Sequence, residues 1–330
     1  MRIGVCVPSH CAMPVLWARS QGLHREQGLR VEVVFFEGMP ALVEELRRGG
    51  IHFAQLITSL ALAVHAGSRP FRTLPLALTQ FLGINGGVLA VSSCCRMERL
   101  GDLKGRRIGV HSPWMVHSLI LGMALRKAGL KVGEDVEVVV VPMSKMPEAL
   151  KRGEIDAVIN PEPLPSFLES QGVLRTLFTT RIFWRDHPCC GLVTTAERLR
   201  WDRELVEAVT LATTIAGLEL QNPVRRKEAI ARIHDEVAPY REIPLTVLFE
   251  AFRPGRSDFY PFPFRSAGMV LVEEMAIRGQ LPRGTDPDAL VDGLFQWELA
   301  MEVMERASQR VEGTVVPSGP DRREQLFLRG

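Results

Sequence analysis

KMPEALKRGEIDAVINPEPLP at positions 145–165 repeats, with changes, the phrase GMPALVEELRRGGIHFAQLIT at 38–58. Each copy runs Met-Pro, an amphipathic segment, a basic residue with Gly, then Ile and an apolar run. Proline in the first turn and glycine past the end mark a helix, so PALVEELRRG (40–49) and PEALKRG (147–153) are predicted helices. The apolar runs IHFAQLI (51–57) and IDAVINP (155–161) are predicted strands.

Outward from these phrases the two copies keep the same order. The first is preceded by a strand RIGVCV (2–7), ended by Pro8, Ser9 and His10. A helical pattern of Met13, Leu16, Trp17 and Leu23 follows, and then a strand LRVEVVFFE (29–37). The second is preceded by a strand GRRIGVH (105–111), a helix SPWMVHSLILGMALRKAGL (112–130) with Ser112 as N-cap and Pro113 at its first position, and a strand DVEVVVVP (135–142). Strands alternating with helices of this length argue for βαβ units and mostly parallel sheets. Two copies are too few for a solenoid and make two lobes instead. Beyond position 190 the pattern turns helical, over 203–221, 225–238, 245–252, 266–279 and 288–305, and ends in a polar tail, 317–330, expected to be loose.

With 330 residues the chain has ample sequence for a core in each lobe. Its net charge of +2, with scattered basic residues, sets nucleic acid aside as a partner. The most apolar stretch, LPLALTQFLGINGGVLAV (74–91), carries Gln80, Asn85 and a Gly pair, which argues against a membrane span and against direct membrane insertion. After Arg2 the chain enters a strand rather than a leader, so a cytoplasmic location is expected, or a periplasmic or lipid-anchored one if a leader has been removed. Cys6, Cys11, Cys94, Cys95, Cys189 and Cys190 lack C-x-x-C spacing and read as buried small apolar residues. A metal set of Cys94, Cys95, Cys189 and Cys190 is the other reading. Cys11 beside His10 invites a nucleophile reading, but neighbours in sequence do not face each other on a helix.

Several stretches resemble one family. GINGGVLAVS (83–92) resembles an Asn-Gly crossing segment, SPWMVHSLIL (112–121) a Ser-x-x-His helix start, and VVVPMSKMPEALKRGEIDAVINPEP (139–163) a strand, turn, helix and Gly-Glu-Pro segment. FWRDHPCCGLVTT (183–195) resembles a Trp-x-x-His-Pro return crossing, and DFYPFPFRS (258–266) with RGQLP (278–282) a late aromatic segment. Together they are similar to the type II periplasmic binding proteins of ABC importers, in the nitrate and bicarbonate binding branch with its cytoplasmic nitrate-sensor relatives. The resemblance implies an α/β fold of two lobes with a helical C-terminal extension. One lobe takes 1–87 and 194–330 and the other 88–193. Hinges near 87–92 and 191–195 let the lobes close on a ligand.

Strand carboxyl ends and helix N-termini suit anions, because unpaired N–H groups point there. Ser9 and His10 lie at such an end, and Ser9 reads equally as an N-cap. Asn85 can donate to an oxyanion and Gly86 allows close approach, although Asn-Gly is also a turn. Gln80 approaches the same crossing. By the resemblance, Ser112 and His117 open the second lobe's first helix, with His117 either a ligand or packing. Lys145 stands where transport members place Gln; it charges the site or points to solvent. Glu162 matches Gly-Glu-Pro, orienting Lys145 or His187 or closing the hinge. His187 is the leading donor to an oxyanion. Arg265 is a bidentate clamp from the other lobe, or else a surface Arg.

There is no G-x-S-x-G, H-E-x-x-H, P-loop or G-x-G-x-x-G after a strand, so the chain reads as a non-enzyme without a cofactor. The expected ligand is a small anion, nitrate or nitrite first and bicarbonate next. The expected role is a cytoplasmic nitrate sensor acting on a regulatory protein, or the binding component that serves an ABC permease. A thiamine-pyrimidine-synthase-like enzyme is the alternative on the same fold. It would want a cofactor Lys–His pair, and positions 38–70 contain no Lys.

Overall fold

The computed structural model describes residues 1–327. The strands are β1 (Arg2–Cys6), β2 (Glu32–Phe36), β3 (Phe53–Ile57), β4 (Leu76–Asn85), β5 (Gly87–Ser92), β6 (Arg107–Val110), β7 (Glu137–Val140), β8 (Ala157–Pro161), β9 (Leu174–Thr179), β10 (Trp184–Arg185), β11 (Pro188–Thr195), β12 (Ser257–Asp258) and β13 (Gln325–Leu326). The first sheet has the order β12-β4-β11-β3-β1-β2 and the second β7-β6-β8-β5-β9. Arg-Ile-Gly-Val opens both: it is the start of β1 and the whole of β6. Each of these strands is flanked by two parallel neighbours, β2 and β3 in one sheet, β7 and β8 in the other. The central strands β3, β4 and β5 are buried along their whole length, whereas the edge strands β2 and β7 are not, as apolar runs covered on both faces require.

The chain changes sheet twice. Between β4 and β5 it does so at Gly86, after two successive left-handed residues, Asn85 (φ 59°) and Gly86 (φ 76°). Returning, it is in the first sheet from Pro188, because β11 pairs antiparallel with β3 and β4. GGVLAV and GLVTT, where hinges were expected, therefore lie in strands, and the changes of sheet fall at Gly86 and in the segment before Pro188.

Three expected elements differ. The helix expected from Ser112 starts at Val116 and runs to Lys127, because the Ser112 hydroxyl accepts the Trp114 amide in a local turn instead of capping it. The helix expected over 288–305 is two, Pro287–Leu294 and Trp297–Ser308, broken where the Gln296 amide donates to the Leu78 carbonyl. The tail expected to be loose is tied down over 317–327, and 328–330 lie outside the described residues. β13 pairs with β10, Trp184 donates to Glu324, and Arg322 donates to the Asp186 carbonyl. Among the described residues no helix is long and apolar enough to cross a membrane.

The two sheets are pressed together. The Val116–Lys127 helix follows the second sheet's β6, yet its Val116, Leu119 and Ile120 pack in the first sheet's core. Its Arg126 binds the buried Glu274 of the Arg265–Ile277 helix, which also holds Arg278.

Candidate functional site

The carboxyl ends of β1, β2, β6 and β7 open on a cleft between the sheets. One chamber of about 770 Å³ lies between Val7 and Pro8 on one wall and Met143, Ser144 and Phe167 on the other. A second of about 570 Å³ is lined by Phe71, Arg72, Ser112 and Trp114, and His111 lines both. The larger chamber carries the carboxylates Glu37 and Glu242 and no Lys or Arg. His111 sits at the end of β6, with a buried Nδ1 that has no partner. Burial lowers its pKa.

Under the cleft lies a buried node where the sheets meet. His10, His117 and His187 are all within 1% of full burial. The His117 and His187 rings stand edge to face, 5.8 Å between centroids. The crossing at Gly86 and Gly87 threads between two of these rings. A Cβ on Gly86 would lie 2.4 Å from His10 Nε2, and one on Gly87 2.6 Å from His117 Nε2. Side chains at either position would displace a histidine.

The three histidines differ in what they hold. His187 Nδ1 lies 3.1 Å from the Pro188 carbonyl and its Nε2 2.8 Å from the Thr180 hydroxyl, which itself donates to the Gly87 carbonyl at 3.0 Å. His10 Nδ1 faces the Glu162 carbonyl at 3.4 Å and its Nε2 faces Cys11 Sγ at 3.2 Å. His117 has no partner on either nitrogen. Burial holds all three below the ordinary histidine range, His187 at about 4; for His117 the neighbouring His187 and His10 push the same way. Neutral imidazoles are the result.

Glu162 closes the node. Its carboxylate takes Arg256 Nε at 2.5 Å and both the amide and hydroxyl of Ser166. Burial pushes its pKa up; Arg256 and Ser166 pull it back. Arg256 belongs to the segment entering β12 in the first sheet, so this ion pair spans the two sheets, and both side chains are nearly inaccessible.

Of the eleven sequence candidates, His10, Asn85, Gly86, His117, Glu162 and His187 meet in this node, with Ser9 at its edge and Ser112 in the cleft wall. Ser9 caps the turn His10–Ala12 and exchanges hydrogen bonds with Tyr240. Asn85 is spent: its amide donates to Asp186 and Asp258 and its oxygen accepts the Asp186 amide. Gln80 does not face the cleft, because its amide is taken by Thr213 and Thr214 of the Arg203–Glu219 helix behind the sheet. Lys145 is exposed at the start of the Met146–Lys151 helix, so Glu162 orients neither it nor His187. Arg265 is no clamp: Asp288 and Asp292 hold it at the surface.

Sequence reasoning missed Arg256, His111, Glu37 and Glu242. His111 and Glu37 each follow directly on a parallel strand, a placement legible from the strand pattern alone. Arg256 gave no such signal; it lies two residues before the aromatic segment that drew attention to Arg265. Of the cysteines expected to be buried, Cys11, Cys189 and Cys190 are, Cys6 and Cys95 are half-buried and Cys94 is exposed. The alternative four-cysteine set does not form, because Cys94 and Cys95 follow β5 in the second sheet and Cys189 and Cys190 lie on β11 in the first.

Comparison with known proteins completes the picture. The model of the NMT1-like family matches residues 1–234. The chain belongs to the NMT1-like family. Its relatives within reach of sequence comparison include the nitrate import ATP-binding protein NrtC of Synechococcus elongatus, 28% identical across 78% of this chain. This chain spans only 40% of that protein's length. The nitrate/nitrite binding protein NrtA of Synechocystis is 21% identical across 97% of this chain and 79% of its own length. The crystal structure of periplasmic NrtA from Synechocystis superposes with a TM-score of 0.85 over 99% of this chain and 93% of that one, at 19% identity. The alkanesulfonate-binding protein SsuA of Xanthomonas axonopodis bound to MOPS superposes at 0.70 over 89% and 97%, at 17% identity. The fold of this family member is that of the periplasmic binding proteins.

Proposed function

We propose that this chain is a solute-binding protein for a small, singly charged oxyanion, nitrate or nitrite first, held between the two sheets. The observation that carries the reading is His117: a fully buried imidazole in the node between the two sheets with neither nitrogen bonded. A buried polar atom without a partner costs about 1–3 kcal/mol, and a bound acceptor removes that cost. The relatives named for nitrate and nitrite supply the ligand class.

The surroundings favour low charge. The imidazoles are neutral, Arg256 is neutralised by Glu162, and the outer chamber presents two carboxylates. A monovalent, weakly hydrated anion loses least on entering such a place; a dianion would face uncompensated repulsion. Asn85 and His187 shape the node rather than donate to the ligand, since their donors are already used. Opening between the sheets admits the ligand and closure seals it, with Glu162 and Arg256 meeting across the gap.

Closure around an anion serves either delivery to an ABC permease or the cytoplasmic sensing role, in which the closed form binds a regulatory protein. Cell fractionation separates the two, since delivery needs the chain outside the cytoplasm. The ligand is tested by thermal shift and calorimetry with nitrate, nitrite, bicarbonate and short alkanesulfonates. Nitrate or nitrite raises the melting temperature of the wild type and not of His117→Ala. No shift with any of these anions, or a shift that His117→Ala retains, overturns the reading. A melting shift with thiamine precursors or pyridoxal phosphate alone would favour the enzyme alternative instead.

A further inference from the structure

Three soft ligand atoms converge beside the node on the first-sheet side. His10 Nε2, Cys11 Sγ and Cys189 Sγ all lie within 4.8 Å of one another, and all three residues are buried. They come from two elements, the short 3₁₀ turn His10–Ala12 and β11. Neighbours in an α-helix do not face each other, but in this turn His10 Nε2 and Cys11 Sγ approach to 3.2 Å. On the other side, the register irregularity of β11 between Pro188 and Gly191 brings Cys190 Sγ to 3.9 Å from Cys189 Sγ. A strand bulge re-aims side chains in this way.

We propose that His10, Cys11 and Cys189 form a zinc site, with Cys190 as the neighbour of its fourth position. Zinc–nitrogen and zinc–sulfur bonds of about 2.0 and 2.3 Å at tetrahedral angles put nitrogen and sulfur roughly 3.5 Å apart and two sulfurs roughly 3.8 Å apart. The observed 3.2 Å between His10 Nε2 and Cys11 Sγ needs a shift of only tenths of an ångström, and Cys189 Sγ, within 4.8 Å of both, needs to move in by at most about 1 Å. The outer contacts also suit a metal. His10 Nδ1 faces a backbone carbonyl, that of Glu162, which places the proton on Nδ1 and turns the Nε2 lone pair toward the sulfurs. Gln55 Nε2 donates to Cys190 Sγ at 3.7 Å. Gly83 leaves the room: a Cβ there would sit 2.6 Å from Cys11 Sγ.

Charge favours a divalent cation, and one imidazole with thiolates is a donor set that zinc takes. One neutral imidazole, two thiolates and Zn²⁺ sum to zero, which a buried site tolerates; binding releases the two thiol protons to solvent. Separation of the sheets, which breaks the contact between His10 and Glu162, is the way in.

The proposal does not rest on the anion reading, and the two are read separately. The full-length protein is loaded with Zn²⁺ or with Co²⁺, washed, and assayed for metal content and absorption. One metal per chain is expected, with the near-ultraviolet thiolate-to-cobalt charge-transfer band and the visible bands of a tetrahedral cobalt centre. Cys11→Ala and Cys189→Ala lose stoichiometric binding, while the double variant Cys94→Ser/Cys95→Ser retains it. Wild-type cobalt spectra without a thiolate band overturn the proposal even where an alanine variant fails to fold. So does binding that follows Cys94 and Cys95. A nitrate melting shift unaltered by zinc leaves the site intact, and a zinc site without a nitrate shift leaves only the anion reading to fall.

Discussion

The two copies of the repeat fold alike and end differently. Ile3 of β1 pairs with Phe53 of β3, and its counterpart Ile108 of β6 pairs with Ala157 of β8. Counting along both strands from these pairs sets Glu162 opposite Thr58. Thr58 turns back into its own sheet, its hydroxyl donating to the Cys189 carbonyl at 3.2 Å. Glu162 reaches out of its sheet to Arg256. One backbone thus serves two purposes: the side chain just past the strand decides whether a copy braces itself or grips the other half. Lys145, the other residue distinguishing the second copy, is exposed and does neither.

The sharpest way to break this contrast is to remove one partner of the grip. Arg256→Met leaves Glu162 buried without its cation and should cost about 3–5 kcal/mol in chemical denaturation. The double variant Glu162→Gln/Arg256→Met should recover most of that loss. If the single variant costs no more than the double, the two side chains are not coupled. Thr58→Val, in the copy that braces itself, should cost only about 1 kcal/mol by the same measurement.

Acid tests the buried, unpartnered histidines, which occur in both halves: His24 in the first and His117 in the second. His24, in the first half, is buried without a partner, and burial lowers its pKa to about 4. The unfolded chain takes up this proton below the ordinary value of 6.5 and the folded chain does not. The contribution of neutral His24 is therefore present above pH 6.5 and lost as pH falls toward 4, amounting to about 3 kcal/mol at most. Denaturation midpoints of His24→Leu should fall less steeply over this window than those of the wild type; an unchanged slope would rule His24 out as the group responsible.

Smaller effects separate the outer chamber from the surface. Glu37→Gln/Glu242→Gln removes two carboxylates from the mouth and should speed anion association several-fold at low salt, less at high salt. Stopped-flow rates that do not respond to salt would mean that ligand enters elsewhere. Arg265→Ala should leave anion binding unchanged and cost less than about 1 kcal/mol, as an exposed pairing does.

The sequence by itself determined the duplicated βαβ plan and the alternation of strand and helix, which follow from local periodicity and from Pro and Gly at helix ends. The candidates His10, Asn85, Gly86, His117, Glu162 and His187 came from strand ends and from the family resemblance. What only the tertiary structure decided is which polar groups are already spent. Gln80 and Asn85 look like donors in sequence, but partners far away in the chain, Thr213 and Asp258, consume them. Arg256 and Arg265 are equally arginines beside aromatic residues; one meets a buried carboxylate across the cleft and the other two aspartates in water. The strap of the tail on Trp184 and the meeting of His10 with Cys189 belong to the same class. Each depends on residues distant in sequence becoming neighbours, and hydrogen bonding and burial act only once they have.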